Sequence, residues 1–263
     1  MFLTSCKTLK VTGEFLDNPP NVVPKIALST DLNRNNWQHL DPINDSVPGM
    51  SVDKAYKELI KDSEGKTVVV AVLDTGIDIK HEDLKGNIWV NKKEIPGNNM
   101  DDDKNGFIDD VYGWNFLGDA YYEQLELTRL LAKGEDFPEK EDAQKDYDKR
   151  LAEARGEETL KYYLNYDFKG RTTGDDPDNF EETYYGDNKV EHSREDESHG
   201  THVAGIIAAA RNNNLGMKGV ANNVEIMTLR VVPYGDEYDK DIALGIIYAA
   251  DNGADIINTS FGK

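Results

Sequence analysis

The run Thr67–Asp74 constrains the fold more than any other segment of this chain. It reads TVVVAVLD, an almost uninterrupted series of β-branched and apolar residues between polar flanks. A strand that is apolar on both faces is typical of a parallel sheet covered by helices on both sides. The segment therefore predicts a central parallel sheet with this strand in its interior.

Further strands and helices are predicted to alternate in the last quarter of the sequence. They are Val203–Ala210 (helix), Val224–Val232 (strand), Asp239–Asn252 (helix, closed by Gly253) and Ala254–Ser260 (strand). Such alternation predicts an α/β fold of three layers, with a parallel sheet and right-handed crossovers. Ligands of these sheets bind at the carboxyl ends of the strands, where Asp74 and Ser260 are placed.

Charge and composition exclude several classes of partner. The chain of 263 residues carries a formal net charge of −20, which disfavours binding to nucleic acid or to an anionic membrane surface. No apolar run approaches the roughly 18 residues that a membrane-spanning helix needs. The single cysteine, Cys6, rules out an internal disulfide framework. A globular α/β protein without a nucleic-acid partner is predicted.

The chain divides into a leader or linker over residues 1–47 and a domain over residues 48–263. Within that domain, residues 118–198 hold 24 acidic and 12 basic side chains and thus most of the negative charge. This stretch has helix-forming composition at Tyr121–Leu131 and Lys140–Arg155. We interpret it as an acidic helical insertion, either a solvated surface excursion or a dedicated recognition element. Its weak apolar content predicts that it can be removed with the core preserved.

Two short motifs carry residues suited to catalysis. Asp74-Thr75-Gly76 follows the buried strand, and His199-Gly200-Thr201-His202 opens a helix. A carboxylate at a strand end can hold an imidazole in one tautomer, and that imidazole can act as general base for a hydroxyl nucleophile. Each motif alone is weak, because aspartate commonly begins turns and a histidine on a helix face is often structural.

The motifs are specific in combination. The series VAVLDTGID, HEDL, HGTHVAG, RVV and ADIINTSFG, in this order, resembles the subtilisin-like serine peptidases over residues 48–117 and 199–263. The resemblance implies a subtilisin-like fold and hydrolysis of protein or peptide substrates through an Asp-His-Ser triad. It assigns Asp74 and His199 to the triad and gives His202 a structural role. The implied substrate-binding edges are Gly235, Asp236 and Glu237 on one side and Ser260, Phe261 and Gly262 on the other.

The sequence departs from that family's pattern in two ways. The nucleophile of the family lies in a Gly-Thr-Ser-Met-type turn downstream of the edge segment, and its oxyanion-hole asparagine also lies there; neither is present. Ser260, the remaining candidate, has Asn258 where GxSxG requires glycine. We therefore expect an amino-terminal portion of the catalytic domain, truncated at its carboxyl end and inactive alone. The second departure is the 125-residue separation of Asp74 and His199, which the insertion explains.

An acidic loop at Asp101–Asp110 predicts a calcium site. It reads D-x-D-x-N-G-x-x-D-D, with oxygen ligands at positions one, three and five and glycine at six. The candidate ligands are Asp101, Asp103, Asn105, Phe107 (through its carbonyl), Asp109 and Asp110. Tyr112 replaces the glutamate at position twelve, so an EF-hand is not expected. The family resemblance implies a second, weaker calcium site at Asp83, Asn213, Leu215 and Met217.

The segment Leu3-Thr4-Ser5-Cys6 fits a bacterial lipoprotein processing site, although no hydrophobic region precedes it. Together with the calcium loops, it predicts an exported protein, either secreted or a cell-envelope lipoprotein. Membrane anchoring is expected only through a lipidated Cys6.

Two other functions fit the same residues. One is a non-catalytic calcium-binding or interaction module derived from the peptidase fold. The other is a metal-dependent hydrolase using His192, Asp196, His199 and His202, although the chain has no HExxH motif.

Overall fold

The computed structural model describes residues 35–61, 65–169, 173–192, 194 and 197–262. The chain forms two units, residues 1–63 and 64–263. Cys6 and Asp196 lie outside the described residues. None of the helices in the described ranges is long and apolar enough to cross a membrane.

In the first unit, the described residues form short helical pieces. They are a 3-10 turn at Trp37–His39, helix α1 at Val52–Ala55 and a π-helical turn at Tyr56–Ile60. The Asp41 carboxylate organises them, because it accepts hydrogen bonds from the backbone N–H of Asn44 and from the hydroxyl of Ser51. These bonds, with the one from Asn44 the strongest, lower the pKa of Asp41.

The described part of the second unit contains a four-stranded parallel sheet, four α-helices and a π-helical turn at Thr159–Tyr163. Its strands are β1 (Val68–Asp74), β2 (Gly113–Asn115), β3 (Val224–Arg230) and β4 (Ile256–Thr259). Its helices are α2 (Glu126–Lys133), α3 (Lys140–Glu153), α4 (His199–Ala208) and α5 (Asp239–Asp251). The strand order is β2-β3-β1-β4, and each neighbouring pair is parallel. The predicted interior position of the Thr67–Asp74 strand is confirmed.

The sheet is buried on both faces, which gives three layers. Side chains of β1 alternate: Ala71 and Leu73 pack in the cluster that includes Tyr248 of α5, and Val70 and Val72 pack in the cluster that includes Ala204 of α4. The predicted α/β fold with a central parallel sheet and flanking helices is therefore confirmed.

The register of the strands brings their carboxyl ends to one edge. Asp74 pairs with Arg230, Arg230 pairs with Asn115, and Leu73 pairs with Thr259. Helix α4 begins at His199, directly beside this edge. Side chains that are distant in sequence therefore meet where parallel sheets bind their ligands.

The insertion is partly helical, with bounds that differ from the prediction. Helix α3 matches the predicted Lys140–Arg155 and has no buried residue. Residues 121–124 are extended rather than helical and pair with residues 234–236, while α2 begins only at Glu126. The pairing satisfies backbone groups on the 234–236 segment, which outweighs the local helix preference of 121–124.

Candidate active site

Asp74 and His199 form a hydrogen-bonded pair at the carboxyl edge of the sheet. Nδ1 of His199 lies 2.8 Å from Oδ1 and 3.0 Å from Oδ2 of Asp74. The Asp74 side chain is 2% exposed, whereas the His199 side chain is 55% exposed. Because a carboxylate only accepts hydrogen bonds, this contact places the proton of a neutral imidazole on Nδ1 and leaves Nε2 as an acceptor.

Small residues allow the two motifs to approach each other. A Cβ atom at Gly200 would lie 2.3 Å from the carbonyl oxygen of Gly76 and 3.1 Å from Cβ of Asp74. The hydroxyl of Thr201 accepts a hydrogen bond from the backbone N–H of Asp78 at 2.9 Å. These contacts hold the first turn of α4, which contains the HGT motif, against the turn after β1, which contains the DTG motif.

Two other candidate catalytic residues, His202 and Ser260, have different surroundings. His202 is exposed on α4 rather than packed, and the hydroxyl of Ser260 is hydrogen-bonded to the amide of Asn258. Within the described ranges, the group of carboxylates and histidines that could hold a metal ion is Glu94, Asp101 and Asp103, not a histidine cluster. The metal-hydrolase hypothesis therefore receives no support from the described residues.

Arg230 is a residue of this site that sequence reasoning missed. Its side chain is buried, and it donates hydrogen bonds to the carbonyl of Thr75 at 2.9 Å and to Glu197 at 3.2 Å. It also contacts the carbonyls of Gly118 and Ala120, so one guanidinium touches both ends of the insertion. An arginine within the predicted strand VEIMTLRVV, between Leu229 and Val231, was the available signal.

The two predicted substrate-binding edges lie at the ends of β3 and β4. Glu237 is buried, Gly235, Asp236 and Phe261 are partly buried, and Ser260 and Gly262 are exposed. A cavity of about 670 Å³ is lined by Asp236 and Gly262 from the two edges and by α2 and α3 of the insertion. The insertion therefore forms one wall of the space between the predicted edges.

The loop at 101–110 brings carboxylates together as a cation site requires. Ligand atoms of Glu94, Asp101 and Asp103 lie within 4.8 Å of one another. Oxygen donors of this kind suit Ca²⁺. Glu94 was missed because it lies outside the D-x-D-x-N-G pattern, and its carboxylate also accepts hydrogen bonds from the backbone of Asp102 and Asp109.

The remaining predicted ligands of this loop differ in their surroundings. Asn105 donates to Asp110 at 2.9 Å, whereas Asp109 is directed away, accepting from the backbone N–H groups of Gly97 and Asn99. The side chain of Phe107 packs edge-on against aromatic rings, so only its carbonyl could serve as a ligand.

Asp110 is fully buried beside Tyr248, whose hydroxyl donates to Asp110 Oδ2 at 2.5 Å. Burial raises the pKa of the Asp110 carboxyl, although the hydrogen bonds that it accepts act in the opposite direction. Burial, and then the charge of Asp110, raise the pKa of Tyr248.

The residues of the second predicted calcium site also meet. Asp83 is buried and accepts a hydrogen bond from the amide of Asn213 at 2.6 Å. A Cβ atom at Gly216 would lie 2.6 Å from Oδ2 of Asp83, and Met217 lines the same cavity as Asp83. Leu215 lies in this loop, with its backbone N–H bonded to Asn213. The fold therefore places the predicted loop against the predicted carboxylate.

The fold is thus an α/β protein in which a parallel sheet between helices carries a carboxylate–imidazole pair at its carboxyl edge. The profile of the subtilase family (Peptidase_S8) matches residues 65–263. The chain belongs to the subtilase family.

Individual relatives agree with this assignment. Subtilisin-like protease 1 of Plasmodium berghei is 28% identical over 212 residues, which is 78% of this chain and 23% of the relative. The thermophilic serine proteinase of Bacillus sp. strain AK1 is 52% identical over 66 residues, 25% of this chain and 16% of the relative. The cell wall-associated protease of Bacillus subtilis is 48% identical over 69 residues, 26% of this chain and 8% of the relative. The matched region spans less than a quarter of each of these relatives.

Proposed function

We propose that this chain is the amino-terminal part of the catalytic domain of a serine endopeptidase and supplies two of three triad residues. The observation that carries the proposal is the Asp74–His199 pair, in which both carboxylate oxygens face Nδ1 and the imidazole is otherwise half exposed. The third residue, a serine, is proposed to lie in sequence that follows residue 263.

The mechanism follows from the two side chains. Asp74 orients the imidazole, and Nε2 of His199 takes the proton of the serine hydroxyl as that oxygen attacks the peptide carbonyl. The buried carboxylate stabilises the imidazolium, which then gives its proton to the leaving amine. Acyl transfer and hydrolysis by water complete the cycle.

The proposed substrates are proteins or peptides bound as an added strand between the edges Gly235–Glu237 and Ser260–Gly262. Backbone hydrogen bonds to such edges give affinity that depends little on substrate sequence. The sequence-based domain limits, a leader over 1–47 and a catalytic part over 48–263 with the insertion 118–198, remain part of this proposal.

We further propose Ca²⁺ as a structural ligand of the chain. Asp101, Asp103, Asn105, the carbonyl of Phe107, Asp110 and Glu94 are the proposed donors of the first site. Asp83 with carbonyls of the 213–217 loop is the second. The ion would neutralise carboxylates that the fold gathers and would fix both loops beside the sheet.

Export is proposed on two grounds: a relative named cell wall-associated protease and the calcium-loop residues. Whether the protein is secreted or held as a bacterial lipoprotein through Cys6 is tested by mass spectrometry of the mature amino terminus. A diacylglycerol on Cys6 supports the lipoprotein form, and an unmodified cysteine contradicts it.

A serine-directed phosphonate probe tests the peptidase proposal. We expect no labelling and no peptide hydrolysis by the 263-residue chain alone, and both activities in a chain that continues through the proposed serine. Labelling of the 263-residue chain at Ser260 would overturn the assignment of the nucleophile. An inert longer chain that still binds Ca²⁺ would favour the non-catalytic module instead.

A further inference from the structure

Segment 121–124 at the start of the insertion is paired with the proposed substrate-binding edge. The backbone N–H of Glu123 donates to the carbonyl of Tyr234 at 2.7 Å, and the N–H of Tyr234 donates to the carbonyl of Tyr121 at 2.7 Å. The N–H of Asp236 reaches the carbonyl of Gln124 at 3.3 Å. One side of the 234–236 backbone is therefore occupied by the insertion.

The opposite side of the same backbone is the side that a substrate strand would use. Tyr234 and Asp236 both bond segment 121–124 through their backbone, whereas Gly235 between them forms no backbone hydrogen bond with that segment. A Cβ atom at Gly235 would lie 2.1 Å from the carbonyl oxygen of Glu123, and φ of Gly235 is +127°. The glycine of this edge is thus required by the close approach of the insertion.

Arg129 of α2 fixes the carbonyl groups of this edge. Its Nη1 donates to the carbonyls of Gln124 and Asp236, both at 2.8 Å, and its Nη2 donates to the carbonyl of Glu237 at 3.0 Å. Its Nε and Nη2 also bond Glu126, so the five donors of the guanidinium are all engaged. The Arg129 side chain is 6% exposed, and its guanidinium lies 4.0 Å from the centre of the Tyr238 ring.

A second contact holds the same edge from the side of Asp236. The Asp236 carboxylate accepts a hydrogen bond from the backbone N–H of Glu126, the first residue of α2, at 2.8 Å. Carboxylates are favoured at that end of a helix. Three kinds of contact therefore hold the edge and the insertion together. They are the backbone hydrogen bonds to segment 121–124, the bonds donated by Arg129, and the bond that Asp236 accepts from the first residue of α2.

We infer that Arg129 is a positioning residue for substrate binding. On the basis of the proposed function, it holds the backbone of residues 235–237 in the position at which a peptide substrate adds as a strand. The insertion then supports the conformation of the substrate-binding edge, in addition to any role in recognition. Lysine can replace this arginine only in part, because an ammonium has three donors and no planar fork.

The test compares long and short substrates in a chain that continues through the proposed serine. A peptide of about eight residues uses the edge, whereas an ester of a single amino acid does not reach it. In Arg129→Met we expect kcat/KM for the peptide, relative to that for the ester, to fall on the order of tenfold or more, since small misplacements of binding groups are costly. Most of the fall should appear in KM. Arg129→Lys, which keeps the charge, should show a smaller fall of the same kind.

Arg155→Met is the matched control, because Arg155 is an exposed arginine of the same insertion that bonds nearby backbone carbonyls. Its peptide-to-ester ratio should equal that of the parent chain. A merely structural role of Arg129 would lower both activities in parallel, and an unchanged ratio in Arg129→Met overturns the inference. If Arg129→Met does not fold, the ratio in Arg129→Lys decides in the same way. A parent chain that neither cleaves substrates nor reacts with the phosphonate probe contradicts the proposed function itself.

Discussion

The guanidinium of Arg230 lies 3.2 Å from the carboxylate of Glu197, and both side chains are at most 2% exposed. Glu197 precedes His199 by two residues, and Arg230 also bonds the carbonyl of Thr75, the residue after Asp74. The ion pair therefore connects the segments that carry the two members of the Asp74–His199 pair.

Replacing Arg230 with methionine should destabilise the second unit strongly. Glu197 would remain as a buried carboxylate without the guanidinium, which costs about 3–5 kcal/mol. Chemical unfolding of the 263-residue chain measures this loss. Arg150→Met is the control, since Arg150 bonds Asp146 in an exposed pair 2.7 Å apart that should contribute about 0–1 kcal/mol. Equal losses in the two variants would contradict a structural role for the buried pair.

Substitution of either member of the Asp74–His199 pair should remove most peptidase activity. In a chain that continues through the proposed serine, we expect Asp74→Asn and His199→Ala to lower turnover by on the order of 10⁴- to 10⁶-fold. His202→Ala should retain turnover, because the imidazole that bonds Asp74 is that of His199. Steady-state rates with a peptide substrate test this. A folded His202 variant as inactive as the His199 variant would mean that the roles are assigned wrongly.

Calcium should stabilise the chain through the loop at 101–110. A ligand present at a hundred times its dissociation constant adds about 2.7 kcal/mol to the free energy of unfolding. The melting temperature in calcium should therefore be several degrees higher than that in excess chelator. Substituting Asp101 and Asp103 with asparagine should reduce the difference to the part that the second proposed site contributes, whereas Asp142→Asn on the exposed helix α3 should preserve it in full. Identical melting of the parent chain in both buffers would exclude the site.

Removal of the insertion should be tolerated only in part. Lys240 of α5 is fully buried and donates to Asp175 at 2.8 Å and to the carbonyl of Asp176 at 2.7 Å, so the end of the insertion is bonded to the core. From composition we expected that the whole insertion could be removed. The buried bonds of Lys240 predict instead that its complete removal destabilises the core.

We expect deletion of 119–196 to abolish soluble folding and excision of 138–157, which contains α3, to preserve the melting temperature within a few degrees. Flexible linkers of several lengths should close both gaps. Soluble, stable protein after the longer deletion would show that the buried contacts of the insertion are dispensable.

Several parts of the structure depend on local pattern and could therefore be predicted from the amino-acid sequence. The apolar run Val68–Asp74 could fold only as a strand buried on both faces, because each of its sides needs an apolar cover. The DTG and HGTH motifs predicted the pairing of Asp74 and His199 through their resemblance to the subtilase pattern, and the hydrogen bond between the two side chains agrees with it. The spacing of acids and glycine likewise marked the loop at 101–110, because its contacts are made within a few residues.

The contacts between the insertion and the site could not be predicted from the sequence, because they join residues that are far apart along the chain. Segment 121–124 has helix-forming composition but is extended, because residues 234–236, more than a hundred positions away, supply its backbone partners. The buried charges of Arg129 and Lys240 are equally invisible in the sequence, where an isolated basic residue resembles any surface residue. Their burial is possible only because distant carbonyls and carboxylates converge on them, and that convergence is a property of the folded chain.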